Sequence, residues 1–534
     1  MYFVPNGNIY ILRFVPLDNT YTNTLFFNSR EEQVEYFSNK AKLKLEKQTY
    51  TRVERGKIRI EQNAENLYDC NYLMFQNKDF GEQWFFAFIN NIEYLNNYTS
   101  EIEFELDVMQ TWYWNYSLGQ CLVEREHSLT DKAGDNLIEE SYPVGDLVQR
   151  DLRPLVLTKG TYYVVLAAST DPESKNAIAQ PVNGIVSGVA YYKTEINRGN
   201  MDMSVINFRN LIDNFVGSNS VDSIVNLTAV PTELFNIPEV QPSERVDFQD
   251  VEYRTPKTQE VSIQRPDNIS GYVPKNKKLL CYPYNFFIVS TGKNVKTYRW
   301  EYFINHEETV SFKVTGLMGT MPQCALTPLN YLNTEENYSE ELILDSFPQL
   351  AFSVDMFKAF VAQRALPTFA SALVGVVTAG AGAVTANPAM VASGIGGAVN
   401  TLVSQIPAAV SAATTGAIAR GDNTEDIDFV RNIKTFMWAR VECRQQQLKC
   451  IDDYFTMYGY ATNQIKVPNI GTRPYFNYVK LNTVNFVWNT EPYTTSIPQD
   501  SLRKIISIYQ NGITFWKTNC QVGDYSVNNS PTEE

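Results

Sequence analysis

The stretch Glu101–Met109, EIEFELDVM, alternates acidic and apolar residues. The alternation sets Ile102, Phe104, Leu106 and Val108 on one face and Glu101, Glu103, Glu105 and Asp107 on the other, which predicts a half-exposed antiparallel strand. Shorter versions recur at Lys42–Leu45 (KLKL), Lys57–Ile60 (KIRI) and Val310–Val314 (VSFKV). Trp84–Ile89 (WFFAFI) is a continuous apolar run, the pattern of a strand covered on both faces. With 32 Tyr and 30 Phe the chain favours pleated surfaces over helices, because aromatic side chains pack well across strands. The expected class is mainly β with some α.

Outward from this stretch the composition changes several times. Between Thr170 and Lys278, runs such as DPESKN, NIPEVQPSERVD and RPDNISGYVPKNKK alternate with apolar segments and suggest long loops or a less compact insertion. Phe429, Ile433, Met437 and Val441, then Leu448, Ile451 and Phe455, recur at near-helical spacing and predict one or two amphipathic helices over Phe429–Ala461. Strand-like composition returns from Lys466 to Val527. The expected organisation is therefore a β-rich unit over 1–130, a loop-rich middle region over 131–278, a β segment over 279–358 and an apolar Gly/Ala-rich loop over 359–420. A helical segment over 421–465, a C-terminal β segment over 466–527 and a disordered polar tail over 528–534 complete it.

A chain of 534 residues with 44% hydrophobic content can bury a sizeable core, and its length suggests more than one domain. Its net charge of −14 is the wrong sign for gripping nucleic acid by phosphate neutralisation. The seven cysteines are dispersed without a CxxC pair, so neither a disulfide framework nor a zinc site is indicated. The opening MYFVPNGNIYILRF lacks the basic and apolar regions of a secretory signal. Nucleotide loops, a GxSxG elbow and HExxH are missing, and the two histidines, His127 and His306, suit surface or strand-end positions. No cofactor and no metal are expected, and the chain is expected not to be an enzyme.

Between Arg364 and Arg420 lie 55 residues without Asp, Glu, Lys or Arg, holding 16 Ala and seven Gly and broken near the middle by Asn387-Pro388. Ala365–Ala383 and Ala389–Val410 each approach the ~20 residues that cross a bilayer's hydrocarbon core. The apolar candidates for membrane contact are Leu366, Phe369, Leu373, Val374, Val376, Val377, Val384, Met390, Val391, Ile395, Val399, Leu402, Val403, Ile406, Val410 and Ile418. Three readings stay open: a helical hairpin of fusion-peptide composition, a mobile Gly-rich loop, or a buried Ala-rich pair.

Several long segments, in the same order at both ends of the chain, resemble one family. They are LYDCNYLMFQNKDFGEQWFFAFI at Leu67–Ile89, FELDVMQTWYW at Phe104–Trp114, VEREH at Val123–His127, YFTMYGYATNQIKVPNIGTRPYFNYVK at Tyr454–Lys480 and IISIYQNGITFWKTNCQVGDYSV at Ile505–Val527. They resemble the tail knob, or distal tail tube, proteins of small short-tailed bacteriophages with protein-primed linear genomes. The resemblance implies a virion tail protein: a homohexameric tube of tail-tube-like β-barrels, bound to other tail proteins and passing double-stranded DNA without specific binding. It also implies an apolar loop, here Ala365–Ala419, that plugs the lumen and helps breach the host cytoplasmic membrane. An acidic wall would keep a sliding duplex from sticking, and Glu101, Glu103, Glu105 and Asp107 are the candidate lumen-facing acids. A host-receptor-binding spike or adhesin is the alternative, although it gives no reason for the uncharged stretch.

Overall fold

The computed structural model describes residues 7–531 except 49–51, 55, 78–82, 141–143, 157–160, 171, 173–179, 183–184, 188, 198–206, 208–209, 212, 216, 237–256, 292–293, 305–307, 319–321, 346, 348, 352–435 and 490–495. It divides into two compact units, one of Met1–Ser141, Lys275–Lys278 and Lys449–Glu534, the other of Tyr142–Pro274 and Leu279–Leu448.

The first unit begins with β1 (Gly7–Arg13), β2 (Asn23–Phe26), α1 (Arg30–Asn39), β3 (Ala41–Gln48), β4 (Arg52–Glu54), β5 (Lys57–Ile60), β6 (Cys70–Asn77), β7 (Trp84–Asn96) and β8 (Thr99–Leu106). The short helix α2 (Val108–Thr111), β9 (Tyr116–Leu118) and β10 (Cys121–Glu126) follow. The second unit holds β11 (Leu147–Pro154), β12 (Thr161–Ala168), β13 (Gln180–Val182), β14 (Ile185–Ser187), β15 (Ala190–Asn197), β16 (Ile224–Pro231), β17 (Lys257–Gln264), β18 (Asn285–Ser290) and β19 (Val295–Tyr298). It continues through β20 (Thr309–Leu317), β21 (Gln323–Tyr331), β22 (Thr334–Glu336), β23 (Leu342–Leu344), β24 (Gln349–Ala351) and β25 (Met437–Cys443). Helix α3 (Gln445–Tyr458) leads back to the first unit, which ends with β26 (Tyr460–Lys466), β27 (Phe476–Thr483), β28 (Phe486–Trp488), α4 (Gln499–Asn511) and β29 (Ile513–Lys517).

Period-two patterning builds the seven-stranded sheet β3-β1-β6-β7-β8-β5-β4. One set of alternate residues, Ile9, Ile11, Leu73, Ala87, Ile102, Ile58 and Ile60, closes a small core on one face. The other set, with Tyr72, Met74, Phe86 and Phe88, packs against Phe476 and Trp516 and against Ile505 and Ile508 of α4. WFFAFI is thus covered on both faces, as its unbroken apolar run predicts, and burying Phe86 and Phe88 contributes about 1.5–3 kcal/mol each. A second sheet, β2-β29-β27-β10-β26, joins both ends of the chain through the parallel pair β2 and β29. In the second unit the sheets β11-β25-β18-β19, β15-β12-β16-β24 and β17-β20-β21-β22 enclose an aromatic core of Phe287, Tyr298, Trp300, Phe303 and Phe312, with the Phe287 and Trp300 ring centroids 4.3 Å apart.

Several expectations are corrected. Met437–Cys443 is a strand and not part of a helix, because Ala439 and Cys443 fill the buried positions between and beyond Met437 and Val441. A spacing of four is two strand periods as well as roughly one helical turn, and Phe286–Ile288 beside β25 settle the choice through the sheet ladder. The helix of this region is α3, which buries Leu448, Ile451 and Phe455. The described strands of the middle region do not stand apart as a loose insertion: β11, β12, β15 and β16 share sheets with β18, β25 and β24. Lys466–Val527 contains a helix of 13 residues, α4, which ends where Gly512 takes φ +94°. In the polar tail, expected to be disordered, Asn529 is buried and tied by hydrogen bonds to Tyr475 and Phe476.

Candidate functional site

The four acids singled out from the sequence share a stretch but have four different environments. Strand β8 ends at Leu106, so only Glu101, Glu103 and Glu105 belong to it. Glu101 sits opposite Arg59 on β5 and Glu93 on β7, and Glu103 sits opposite Lys57 and Asn91. Arg59 Nε donates to Glu101 Oε2 at 2.8 Å and Lys57 Nζ lies 3.7 Å from Oε1. The Arg59 hydrogen bond holds the Glu101 carboxyl below the usual carboxylate range. Glu105 accepts from Lys504 of α4 and, at 3.5 Å, from Asn19, and the Lys504 bond lowers its carboxyl likewise. Glu103 is exposed to solvent.

Asp107 is buried at the N-terminus of α2 and accepts from the backbone N–H of Met109 at 3.0 Å and of Gln110 at 3.1 Å. Tyr72 Oη donates to its second oxygen at 2.7 Å. Burial pushes the Asp107 carboxyl up to about 6 against the pull of these donors. The Asp-x-x-Gln spacing of Asp107 and Gln110 is a helix-start signal. Alternation alone concealed it, because the apolar–acid pattern runs past the strand's last residue. The four acids therefore do not form one bank of like charge: two are ion-paired, one caps a helix, and Glu103 stands in solvent.

Sequence reasoning missed a second constellation, the short segment Lys275–Lys278. Asp452 of α3 accepts from the backbone N–H of Lys275 at 2.8 Å and of Asn276 at 3.0 Å. Asn276 Nδ2 donates to Asp452 Oδ1 at 2.7 Å and to Thr456 Oγ1 at 2.8 Å. Tyr460 Oη donates to Asp131 at 2.7 Å and approaches Asn276 Oδ1 at 3.3 Å. Lys278 is buried with its Nζ on Ile138 O at 2.7 Å and Glu140 at 2.5 Å, and Glu140 also pairs with Arg125. No local signal could mark Lys275, Asn276 and Lys278, since the partners named for each lie more than a hundred positions away.

His127, expected at a surface or strand end, lies at the end of β10 but is buried, at the same place, while His306 lies outside the described residues. Its Nδ1 accepts from Tyr478 N at 2.7 Å and its Nε2 donates to Thr456 O at 3.0 Å. Burial pushes the ring down to about 3, so it is a neutral strut. Among the described residues no group of His, Cys, Asp or Glu could hold a metal ion, and no helix is long and apolar enough to cross a membrane. The apolar stretch from Ala365 to Ala419, with every membrane-contact candidate, lies outside the described residues.

The family described as Bacillus phage phi29 tail knob protein gp9, C-terminal domain, matches residues 247–530, more than half of the chain. The chain belongs to the tail knob protein family. Its N-terminal part, residues 5–117, matches the caudoviral major tail protein N-terminus, the region that builds the seven-stranded sheet. Tail knob protein gp9 of Bacillus phage PZA is 26% identical over 99% of this chain and 100% of its own length, and that of Bacillus phage phi29 is 25% identical over the same shares. Among solved structures, the bacteriophage C1 tail knob protein, gp12, has a TM-score of 0.59 at 15% identity, covering 96% of this chain and 97% of that one, and shares the fold. This tail knob chain is a structural component of a short-tailed phage's virion tail.

Proposed function

We propose that this tail knob protein forms a homohexameric distal tube that conducts the phage DNA, and that Ala365–Ala419 plugs the lumen and enters the host cytoplasmic membrane during ejection. The observation that carries the membrane part is the uncharged stretch of 55 residues in a chain of which 19% is charged. Nothing inside it titrates between about pH 4 and 9, so release from the lumen, not protonation of the loop, is its trigger. Asp422, Glu425, Asp426 and Asp428 are the neighbours through which acidity can act. For the channel, the net charge of −14 per copy supports passage of DNA without adhesion, with Glu103 the candidate wall acid most open to solvent. The chain works as a structural part, without catalysis.

A peptide spanning Ala365–Ala419 should permeabilise liposomes equally at neutral and mildly acidic pH. Val377→Asp with Ile395→Asp should suppress leakage, at a cost of about 2.5–3.5 kcal/mol for each aspartate at bilayer depth, and leave ring assembly intact. A peptide that never binds liposomes, or a double variant that delivers DNA as well as the parent, would reduce the stretch to a plug.

A further inference from the structure

We propose that copies of the chain join head to tail through the seven-stranded sheet, the β7–β8 arm of one copy lying along the outer strand β3 of the next. The proposal rests on the ring reading above and names the two surfaces that build the ring. The ladder between β6 and β7 stops at the pair Tyr72 and Phe88, whereas β7 and β8 stay paired as far as Asn96 and Thr99. Residues 91–96 thus have a strand neighbour on one side, β8, among the described residues. This arm exposes large side chains in quick succession, Tyr94 at 50%, Leu95 at 39% and Tyr98 at 78%. A cluster of that kind at the end of a hairpin marks a contact surface. Its exposed charges, Glu93 and Glu103, are acidic, with Lys57 of β5 beside Glu103 in the ladder.

Strand β3 has the opposite character. Among the described residues it is the last strand of its sheet, paired with β1, and its exposed charges are three basic, Lys42, Lys44 and Lys47, against one acidic, Glu46, with Lys42 also paired with Asp69 at 2.6 Å. An edge strand with an open row of N–H and C=O groups is a template for another strand, and lysines on it select an acidic partner. The signs also choose the symmetry. Two β3 edges meeting each other would set lysine against lysine, and two arms would set Glu93 and Glu103 against their own kind. Arm on edge is the complementary pairing. It is heterologous, so it closes into a ring when the rotation between copies allows.

The test uses the full chain at low salt, with size-exclusion chromatography, light scattering and negative-stain imaging. Lys44→Glu with Lys47→Glu, and separately Glu93→Lys with Glu103→Lys, should each remove rings or raise the concentration needed for assembly by at least ~10-fold. Circular dichroism and the melting temperature show that each variant is folded. The fourfold exchange in one chain should restore rings. A 1:1 mixture of the two variants should restore them too, with alternating copies, because each new arm then meets a matching edge. Rings that persist in either variant, or a mixture and a fourfold exchange that both fail while folded, would overturn the arm-on-edge contact. Failure of the unaltered chain to form rings would instead sink the tube reading itself.

Discussion

Glu101 and Asp107 stand at the two ends of one alternating stretch and read alike in the sequence, yet the fold uses them in opposite ways. Glu101 lies in the middle of a ladder, where register sets Arg59 directly opposite, and its carboxyl is held low by that hydrogen bond. Asp107 lies just past the last ladder residue, where the backbone turns into α2, and its carboxyl is held by Tyr72 and two backbone donors in a buried site that pushes it up to about 6. Glu101 takes its partner from the neighbouring strand, whereas Asp107 takes two of its donors from the chain's next turn and a third, Tyr72, from β6. The difference teaches that the acidic stretch is two devices, a cross-strand ion pair with a half-exposed arginine and an internal cap.

Asp107→Ala is the severest way to test the cap. It removes the acceptor for Met109 and Gln110 and leaves the Tyr72 hydroxyl buried without its carboxylate. Together these should cost about 2–4 kcal/mol in urea unfolding. A loss under about 1 kcal/mol would mean that water or a neighbour takes over. Tyr72→Phe should cost less, about 1–2 kcal/mol, because the backbone donors to Asp107 remain. Measured with Asp107→Asn in a double-mutant cycle, the pair should be non-additive.

The pH dependence separates the two acids by sign. Asp107 moves from an ordinary value near 3.8 to about 6 on folding, so the folded chain holds a proton that the unfolded chain has released. Its contribution should therefore make stability fall as pH rises from about 4 to about 6, and Asp107→Asn should flatten that part of the curve. Glu101, held low, contributes stability that is present above the usual carboxylate range and lost as pH falls through its lowered value. Glu101→Gln should give the smallest shift, fading at high salt because Arg59 is about half exposed. An Asp107→Asn curve identical to the parent's would remove the distinction between the two sites.

Where the sequence was legible, a single period dominated. KLKL, KIRI, WFFAFI, EIEFEL and VSFKV all lie in strands, because alternation over a half-buried face has one solution. MWARVEC misled because positions four apart satisfy both periods. Only the filled positions between them and the neighbouring β18 resolve the choice. The helix α4 was hidden in strand-like composition, although Ile505, Ile508 and Tyr509 sit at helical spacing and Gly512 follows as its stop. Of the candidate acids, the sequence placed Glu101, Glu103 and Glu105 on one strand and carried Asp107 along with them past the strand's end.

The family, the mainly β class, the strand segments and the uncharged stretch follow from the sequence itself, because composition, period and segment order are local properties of a chain. What each charged or polar group does was decided by tertiary structure. Arg59 opposite Glu101, Tyr72 on Asp107, Lys504 on Glu105 and Asn276 on Asp452 are pairings across distances in sequence that no local pattern encodes. A buried carboxylate takes its chemistry from the donors that reach it, and those arrive only when strands and helices far apart in the chain are brought to one place.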